Sequence, residues 1–289
     1  MIERGFRESV VCVRDAGEVA AGFCALTGWV AGAAAASDQR LLRAWGLGPD
    51  CRGLELPLRQ PDSPHGGIRL LQLDGVEQQP VRSNPQPWDT GGYLDLNIRV
   101  ANMARCQREF GAAGWYAVSD PVQWRFGDKL VSEWLAIGPD GLALALIERL
   151  DPPLAPGDVP GGFGPAFNSS QVVADMPRSL AFYQEMLGMR KFLHIRQPLL
   201  PEPGENPLGI PHNLVSELEV EIAMLSPGGD INGSVELIAM HGLEGRDFAA
   251  NARPPNLGIV ALRFPVDDLD ALAARLSGVG QALAMDPVE

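Results

Sequence analysis

The sequence has little positive charge. Lys and Arg together number 23, against 36 Asp and Glu, which gives a formal net charge of −13. No basic stretch provides the electrostatic surface that nucleic acid or an anionic membrane requires. We therefore expect neither nucleic acid nor a lipid surface as a partner.

Cysteine is scarce, and its spacing is not that of a structural zinc site. The chain has four cysteines, no Cys-x-x-Cys pair, and no close His or Cys companion for any of them. The N-terminal residues MIERGFRESV also lack the apolar core of a secretory signal. Both features favour a reduced, cytoplasmic protein.

Long apolar runs are missing as well. Residues 19–36 are uncharged, but Ala and Gly dominate them, and Gly28 and Gly32 interrupt the run. Such a segment falls short of the transfer free energy of a Leu-rich membrane span. We therefore expect no membrane-spanning segment. An apolar content of 46% over 289 residues instead predicts folded cores, and the length predicts about two domains.

Glycine and proline are abundant, with 33 and 25 copies. Their densest run, DPPLAPGDVPGGFG at residues 151–164, is typical of a linker. It predicts an N-terminal domain over residues 1–150 and a C-terminal domain over residues 165–289. A smaller break at residues 76–92 divides the first half again, so the chain consists of four quarters.

A similar unit recurs in the quarters. An apolar strand ends at Asp15 or Asp175, which are good helix N-caps, and a short helix then ends at Gly28 or Gly188. Strands follow the helices, which predicts an α+β chain of repeated βαβββ modules. These strands are 41–45, 54–58 and 68–73 in the first quarter, 115–118, 130–137 and 142–147 in the second, and 215–225 and 235–240 in the third.

The third quarter, with Ser179-Leu-Ala-Phe-Tyr183 before Leu187-Gly188, resembles the vicinal oxygen chelate superfamily. This superfamily includes glyoxalases, extradiol ring-cleaving dioxygenases and antibiotic-binding resistance proteins. The resemblance implies modules that pair into open, cup-shaped mixed sheets with helices outside and a divalent metal inside. It implies one cup from the two modules before residue 151 and a second cup from the two modules after residue 164.

The metal ligands of the family do not carry over onto this sequence. The residues at the matching positions include Glu8, Arg69, Asp95, Ala145, Asn168, Glu236 and Ala261. A complete set of imidazole and carboxylate ligands is absent from these positions, so we expect no cofactor. A divalent metal is the alternative, with Glu236 and His241 as its weak candidate ligands. The missing ligand set also makes extradiol ring cleavage the less favoured activity.

Polar side chains alternate along the predicted strand 93–99. Asp95 and the other odd-numbered residues share one face, which lines the cup in the family. Its groups would bind substrate, with Glu8 or Asp95 as general base. Arg69 would donate hydrogen bonds to an anionic or carbonyl ligand, and its loss would weaken binding without unfolding the protein. A salt-bridged strand face is the alternative. The candidate catalytic residues are Glu8 and Asp95, and the candidate substrate-binding residues are Arg69, Tyr93, Asn97, Arg99, Trp124 and Trp134.

Carboxylates also alternate along Glu217-Leu-Glu-Val-Glu-Ile222. They line the second cup or, as we favour, form a solvated outer face. The fourth module has residues for only one further strand, at 281–285, which leaves an open sheet edge and predicts a homodimer.

The sequence thus favours a glyoxalase-like enzyme of lyase or isomerase type. It would act in the N-terminal cup on a small oxygenated, perhaps aromatic, metabolite. The alternative is a non-catalytic protein of the same fold that sequesters a small molecule.

Overall fold

Two open mixed sheets form the framework of the protein, which a computed structural model describes at residues 2, 4–200 and 204–278. The predicted α+β fold is confirmed. The strands are β1 (Glu8–Val13), β2 (Val30–Ala31), β3 (Ala35–Ala36), β4 (Arg52–Arg59), β5 (Gly67–Asp74), β6 (Tyr93–Val100), β7 (Tyr116–Ala117), β8 (Val122–Phe126), β9 (Lys129–Ile137), β10 (Ala143–Asp151), β11 (Phe163–Val172), β12 (Arg190–Pro198), β13 (Glu219–Ser226), β14 (Ser234–His241) and β15 (Gly258–Arg263). The helices are α1 (Ala16–Thr27), α2 (Gln39–Ala44), α3 (Met103–Ala112), α4 (Met176–Ala181) and α5 (Leu269–Gly278).

Local capping explains why α1 and α4 begin where the sequence predicts. Asp15 and Asp175 each accept a hydrogen bond from the backbone N–H three residues further on, at 2.8 and 2.9 Å. Gly28 and Gly188 follow the helical segments with φ of 73°, a left-handed conformation that costs glycine little. The repeated strand, Asp, helix and Gly pattern is therefore a real structural unit.

Residues 41–45, predicted as a strand, instead form the last part of α2 and its C-cap, Trp45. Asp38 caps this helix by accepting a hydrogen bond from the backbone N–H of Arg40 at 2.8 Å. Leu42 is 1% exposed and belongs to the apolar cluster that contains Val10 and Leu71. The helix therefore covers the face of β1 and β5 that points away from α1. The sequence prediction also missed β8 and β12.

The modules pair differently from the expectation. Strand β1 pairs antiparallel with β15, so the first and fourth modules share a six-stranded sheet, the 1/4 sheet. Strand β6 pairs antiparallel with β11, so the second and third modules share a nine-stranded sheet, the 2/3 sheet. The prediction that the two modules before residue 151 form one cup is therefore wrong. The segment 151–164 joins the two halves of the 2/3 sheet.

The strand order defines the neighbours of every site residue. The 1/4 sheet runs β15-β1-β5-β4-β2, with β3 beside β4. The 2/3 sheet runs β12-β13-β14-β11-β6-β10-β9-β7, with β8 beside β9. The strand expected at residues 281–285 lies outside the described residues, so the expected homodimer stays a prediction.

One face of the 2/3 sheet packs on helices, whereas the 1/4 sheet has α1 on one face and α2 on the other. Leu96 and Ile98 of β6 are fully buried in a core with Phe23 of α1 and Phe110 of α3. Because side chains alternate along a strand, Asp95 and Asn97 point to the opposite face, which we name the cup face of the 2/3 sheet. In the described part of the chain, no helix combines the length and apolar character needed to cross a bilayer.

Candidate functional site

Three carboxylates gather on the cup face of the 2/3 sheet, on β6, β9 and β14. They belong to Asp95, Glu133 and Glu236. Ser170 on β11 lies opposite Asp95 in one ladder and opposite Glu236 in the next. Its hydroxyl donates a weak hydrogen bond of 3.5 Å to Oε2 of Glu236. We name these three carboxylates the acid cluster.

A side-chain amide lies beside the acid cluster. Nδ2 of Asn97 donates to Oδ1 of Asp95 and to Oγ of Ser170 at 3.0 Å each, and it is 3.3 Å from Oδ1 of Asn168. Nδ2 of Asn168 donates to Oγ of Ser234 at 2.9 Å. All of these side chains except that of Asp95 are neutral, so their hydrogen bonds position Asp95 without adding charge next to it.

Burial raises the pKa of each carboxyl group in the acid cluster. The pKa of Asp95 rises to about 6, although hydrogen bonds from Ser170 and the charge of Arg82 oppose the shift. The pKa of Glu133 rises to about 7, through burial and then repulsion by Asp95. The pKa of Glu236 rises to about 8, through burial and then repulsion by Asp95 and Glu133. The three groups therefore titrate on either side of neutral pH.

The neighbours of the acid cluster supply little positive charge to its carboxylates. Nε1 of Trp124 donates to Oε2 of Glu133 at 2.8 Å and lowers its pKa somewhat. Arg82 is the cation near Asp95, but its guanidinium donates at 2.9 Å to the backbone carbonyls of Gly91 and Asp89. Among the described residues, no Lys, Arg or His forms an ion pair with the acid cluster.

On the 1/4 sheet, the carboxylates form ion pairs with arginines. Arg69 donates to both carboxylate oxygens of Glu8, at 2.8 and 3.1 Å, and to Oε2 of Glu55 at 3.1 Å. Nη1 of Arg263 is 2.9 Å from Oε1 of Glu8. The predicted pairing of Glu8 with Asp95 in one cup is therefore wrong, because they lie on different sheets. Glu8 and Arg69 instead match the alternative interpretation, a salt-bridged strand face.

The predicted aromatic residues divide between the two faces of the 2/3 sheet. Trp124 lies on the cup face beside Glu133, in an edge-to-face contact of 5.9 Å with Phe126. Trp134 lies on the opposite face, where it is 4% exposed and donates to the carbonyl of Ser119 at 3.1 Å. The prediction that Trp134 lines the cup mouth is therefore wrong. Trp134 follows Glu133 directly on β9, and successive residues of a strand point to opposite faces. Tyr93 packs against the same helix-side core as Trp134.

His241 also lies away from the acid cluster. Its Nε2 is 2.8 Å from Oε2 of Glu221, whose other oxygen is 2.8 Å from Nε2 of His194. Glu221 pairs with Ala239, which belongs to the helix-side core. The carboxylates of β13 therefore lie on the face opposite the cup, as we favoured, and Glu219 there is bonded to Arg196 at 2.6 Å.

The sequence prediction missed Glu133 and Ser170. Glu133 is a lone carboxylate in the strand KLVSEWLAI, and an isolated acid among apolar neighbours is a usable signal. Ser170 has no His and Asp arrangement near it in the sequence that would mark it as a nucleophile. Its hydrogen bonds to two neighbouring strands depend on sheet pairing, which the local sequence does not reveal.

The side chains present do not fit the divalent metal that the resemblance implies. In the described part of the chain, no three His, Cys, Asp or Glu side chains are grouped so as to hold a metal ion. Asn168 replaces a family histidine, and the amide nitrogen of Asn97 points its donors at Asp95 and Ser170. A donor group in this place repels a cation, so the side chains around the acid cluster are unsuited to a divalent metal.

Comparison with solved structures identifies the fold. Glyoxalase I from Zea mays superposes with a TM-score of 0.61 at 16% identity, covering 95% of this chain and 78% of its own. A dioxygenase-type protein from Bacillus subtilis superposes with a TM-score of 0.54 at 11% identity, covering 96% of this chain and 75% of its own. The chain has the vicinal oxygen chelate fold. No family profile and no curated protein matches its sequence.

Proposed function

We propose that the protein is a glyoxalase-like enzyme that transfers protons between adjacent carbons of a small oxygenated metabolite. The observation that carries this proposal is the acid cluster. Its carboxyl groups have pKa values raised to about 6, 7 and 8. A general base and a general acid work best when their pKa values lie near the working pH. At neutral pH the cluster provides both.

The roles follow from the protonation states. At pH 7, Asp95 is mainly ionised and Glu236 mainly protonated. With a 2-hydroxy carbonyl substrate, the Asp95 carboxylate removes the proton from the carbinol carbon. The released electron pair forms the double bond of an enediol while Glu236 protonates the carbonyl oxygen. Asp95 then returns its proton to the former carbonyl carbon as Glu236 takes the proton of the other hydroxyl. Atoms and charges balance without a co-reactant.

The neighbouring side chains suit this chemistry. Trp124 orients Glu133 through their 2.8 Å hydrogen bond, and its ring forms an aromatic pair with Phe126 on the same face. Aromatic rings beside a polar cluster favour a substrate with an apolar or aromatic end. The Asn97 amide holds Asp95 in place.

Solvent deuterium exchange tests the proposal. Hydroxyacetone and 2-hydroxyacetophenone in D2O carry exchangeable protons beside the carbonyl, and proton NMR follows their loss. We expect the wild-type protein to accelerate exchange of at least one probe, and Asp95→Asn and Glu236→Gln each to lower the rate about 100-fold or more. Glu219→Gln, on the opposite face of the same sheet, is the matched control.

Two outcomes would overturn the proposal. One is an exchange rate that stays unchanged in both cluster variants. The other is the absence of exchange above the buffer rate for both probes. Saturable binding of a probe without exchange would support the alternative, a sequestering protein, for which the neutral hydrogen-bonded network of Asn97, Asn168 and Ser170 is the supporting feature.

A further inference from the structure

Two arginines lie on the cup face of the 2/3 sheet, four or more residues along from Asp95 and near the level of Glu133. Arg99 follows Asp95 by four residues on β6, and Ile147 of β10 is its partner across the ladder. Arg149 comes two residues after Ile147, so strand alternation places it on the same face as Arg99. At a rise of about 3.3 Å per residue, the Cα atoms of Asp95 and Arg99 are about 13 Å apart.

Neither guanidinium forms an ion pair with a carboxylate in the described part of the chain. Nη1 of Arg99 donates to Oδ1 of Asn232 at 3.2 Å, and its Cζ lies 3.8 Å from the centroid of the Phe167 ring. Nε of Arg149 is buried without a hydrogen-bond partner. A buried donor without a partner is rare and costs free energy, which a ligand oxygen would recover.

The two arginines also repel each other. Burial and the charge of Arg149 lower the pKa of Arg99 to about 10. Besides Glu148, which lines the same cavity as Arg149, two carboxylates lie near enough to act electrostatically, and both are engaged elsewhere. Oδ2 of Asp158 accepts from the backbone N–H of Ala155 at 3.0 Å, and Asp128 pairs with its neighbour Lys129 at 3.1 Å. An anion between the arginines would relieve this repulsion.

A cavity opens beside Arg149. It has a volume of about 400 Å³ and lies between the segment 151–164 and the ends of β6 and β10. Val100, Leu154 and Val159 line it with apolar side chains, and Glu148 also lines it, with its Oε2 engaged by the backbone N–H of Met103 at 2.8 Å. A cavity of about 150 Å³ already accommodates a benzene ring, so this one has room for a small aromatic acid. Apolar walls strengthen the attraction between a guanidinium and an anion.

We propose that Arg149, supported by Arg99, binds the anionic oxygens of the substrate. The proposal rests on the proposed function and places the carbonyl end towards Glu133, the member of the acid cluster that lies two residues from Val131, the ladder partner of Arg149. It names the substrate class as small oxygenated acids with a carboxylate or phosphate group. Guanidinium groups bind both oxyanions through paired N–H donors.

Matched aromatic ligands test this subsite by calorimetric titration. Benzoate and phenyl phosphate carry the two oxyanions, and benzamide is the neutral counterpart of benzoate. We expect at least one oxyanion to bind ten times more tightly than benzamide, and Arg149→Met to abolish this preference. Arg149→Lys should retain part of it. Arg125→Met, which removes an exposed arginine on β8, is the control and should retain all of it.

The expected pattern separates the subsite from the proton chemistry. Asp95→Asn should retain the preference for the oxyanion, because its position lies at the other end of the face. Should the cluster variants leave deuterium exchange unchanged while Arg149→Met loses anion preference, the subsite stands and the proposed reaction fails. Equal binding of benzamide and both oxyanions, or full preference in Arg149→Met, would overturn the subsite.

Discussion

The two sheets differ in how they compensate the charge of their carboxylates. On the 1/4 sheet, Glu8 is held by two arginines, Arg69 and Arg263, within 2.9 Å. On the 2/3 sheet, Asp95 and Glu236 have neutral hydrogen-bond partners, and their pKa values rise. Contact with a cation stabilises a carboxylate, whereas burial beside other acids favours its protonated form. The same fold therefore holds one cluster of paired ions and one cluster of carboxyl groups with raised pKa values.

The two faces also differ in what covers them. Helix α2 places Leu42 against Val10 and Leu71 on the 1/4 sheet, so apolar packing fills that face. The acid cluster of the 2/3 sheet keeps partial exposure at Glu133 and Glu236.

Breaking the compensated cluster should have the largest effect on stability. Arg69→Met leaves Glu8, which is 8% exposed, with Arg263 as its remaining partner and leaves Glu55 without its guanidinium. We expect the free energy of unfolding in urea at pH 7 to fall by about 3 kcal/mol. This replaces the earlier expectation of a ligand-binding role, because the donors of Arg69 are engaged.

The exposed Arg125→Met serves as the control for this measurement and should change stability by less than about 0.5 kcal/mol. A loss of under about 1 kcal/mol in Arg69→Met would mean that solvent screens the cluster and that the two faces do not differ as described.

Removing charge from the acid cluster should have a smaller effect of opposite sign. The folded-state pKa of Glu236 is about 8, above its ordinary value of 4.5. Its contribution to stability is therefore present below about pH 4.5 and is lost as the pH rises through 8. We expect Glu236→Gln to match the wild type below about pH 4 and to exceed its unfolding free energy at pH 9 by at least about 1.4 kcal/mol, the equivalent of one pKa unit.

The exposed Glu244→Gln provides the comparison, with parallel pH curves expected for this variant and the wild type. A Glu236→Gln protein that is less stable than the wild type at pH 9 would show that the carboxylate of Glu236 is stabilised, and the contrast between the two sheets would fail.

The sequence predicted what depends on local chemistry. The N-caps Asp15 and Asp175 and the glycines after their helices revealed the modules, because capping is decided within a few residues. Strand alternation also placed Asp95 and Asn97 together on the face away from Leu96. These predictions needed no knowledge of which strand lies beside which.

The sequence did not predict what depends on distant pairing. Strand β1 joins β15, which is more than 240 residues away, and nothing in either strand specifies this partner over β6. The acid cluster therefore could not be assembled in advance, since Asp95 meets Ser170 and Glu236 only when the second and third modules share a sheet. Residues 41–45 were misassigned because a short apolar run fits a strand as well as a helix.

Titration of the carboxyl carbons by ¹³C NMR tests the central claim most directly. Protein labelled at Asp and Glu, with signals assigned through Asp95→Asn, Glu133→Gln and Glu236→Gln, reports each group of the cluster. We predict apparent pKa values near 6, 7 and 8, and a lower value for Glu236 in Glu133→Gln because a repelling neighbour is removed. Titration of all three groups below pH 5 would contradict the account.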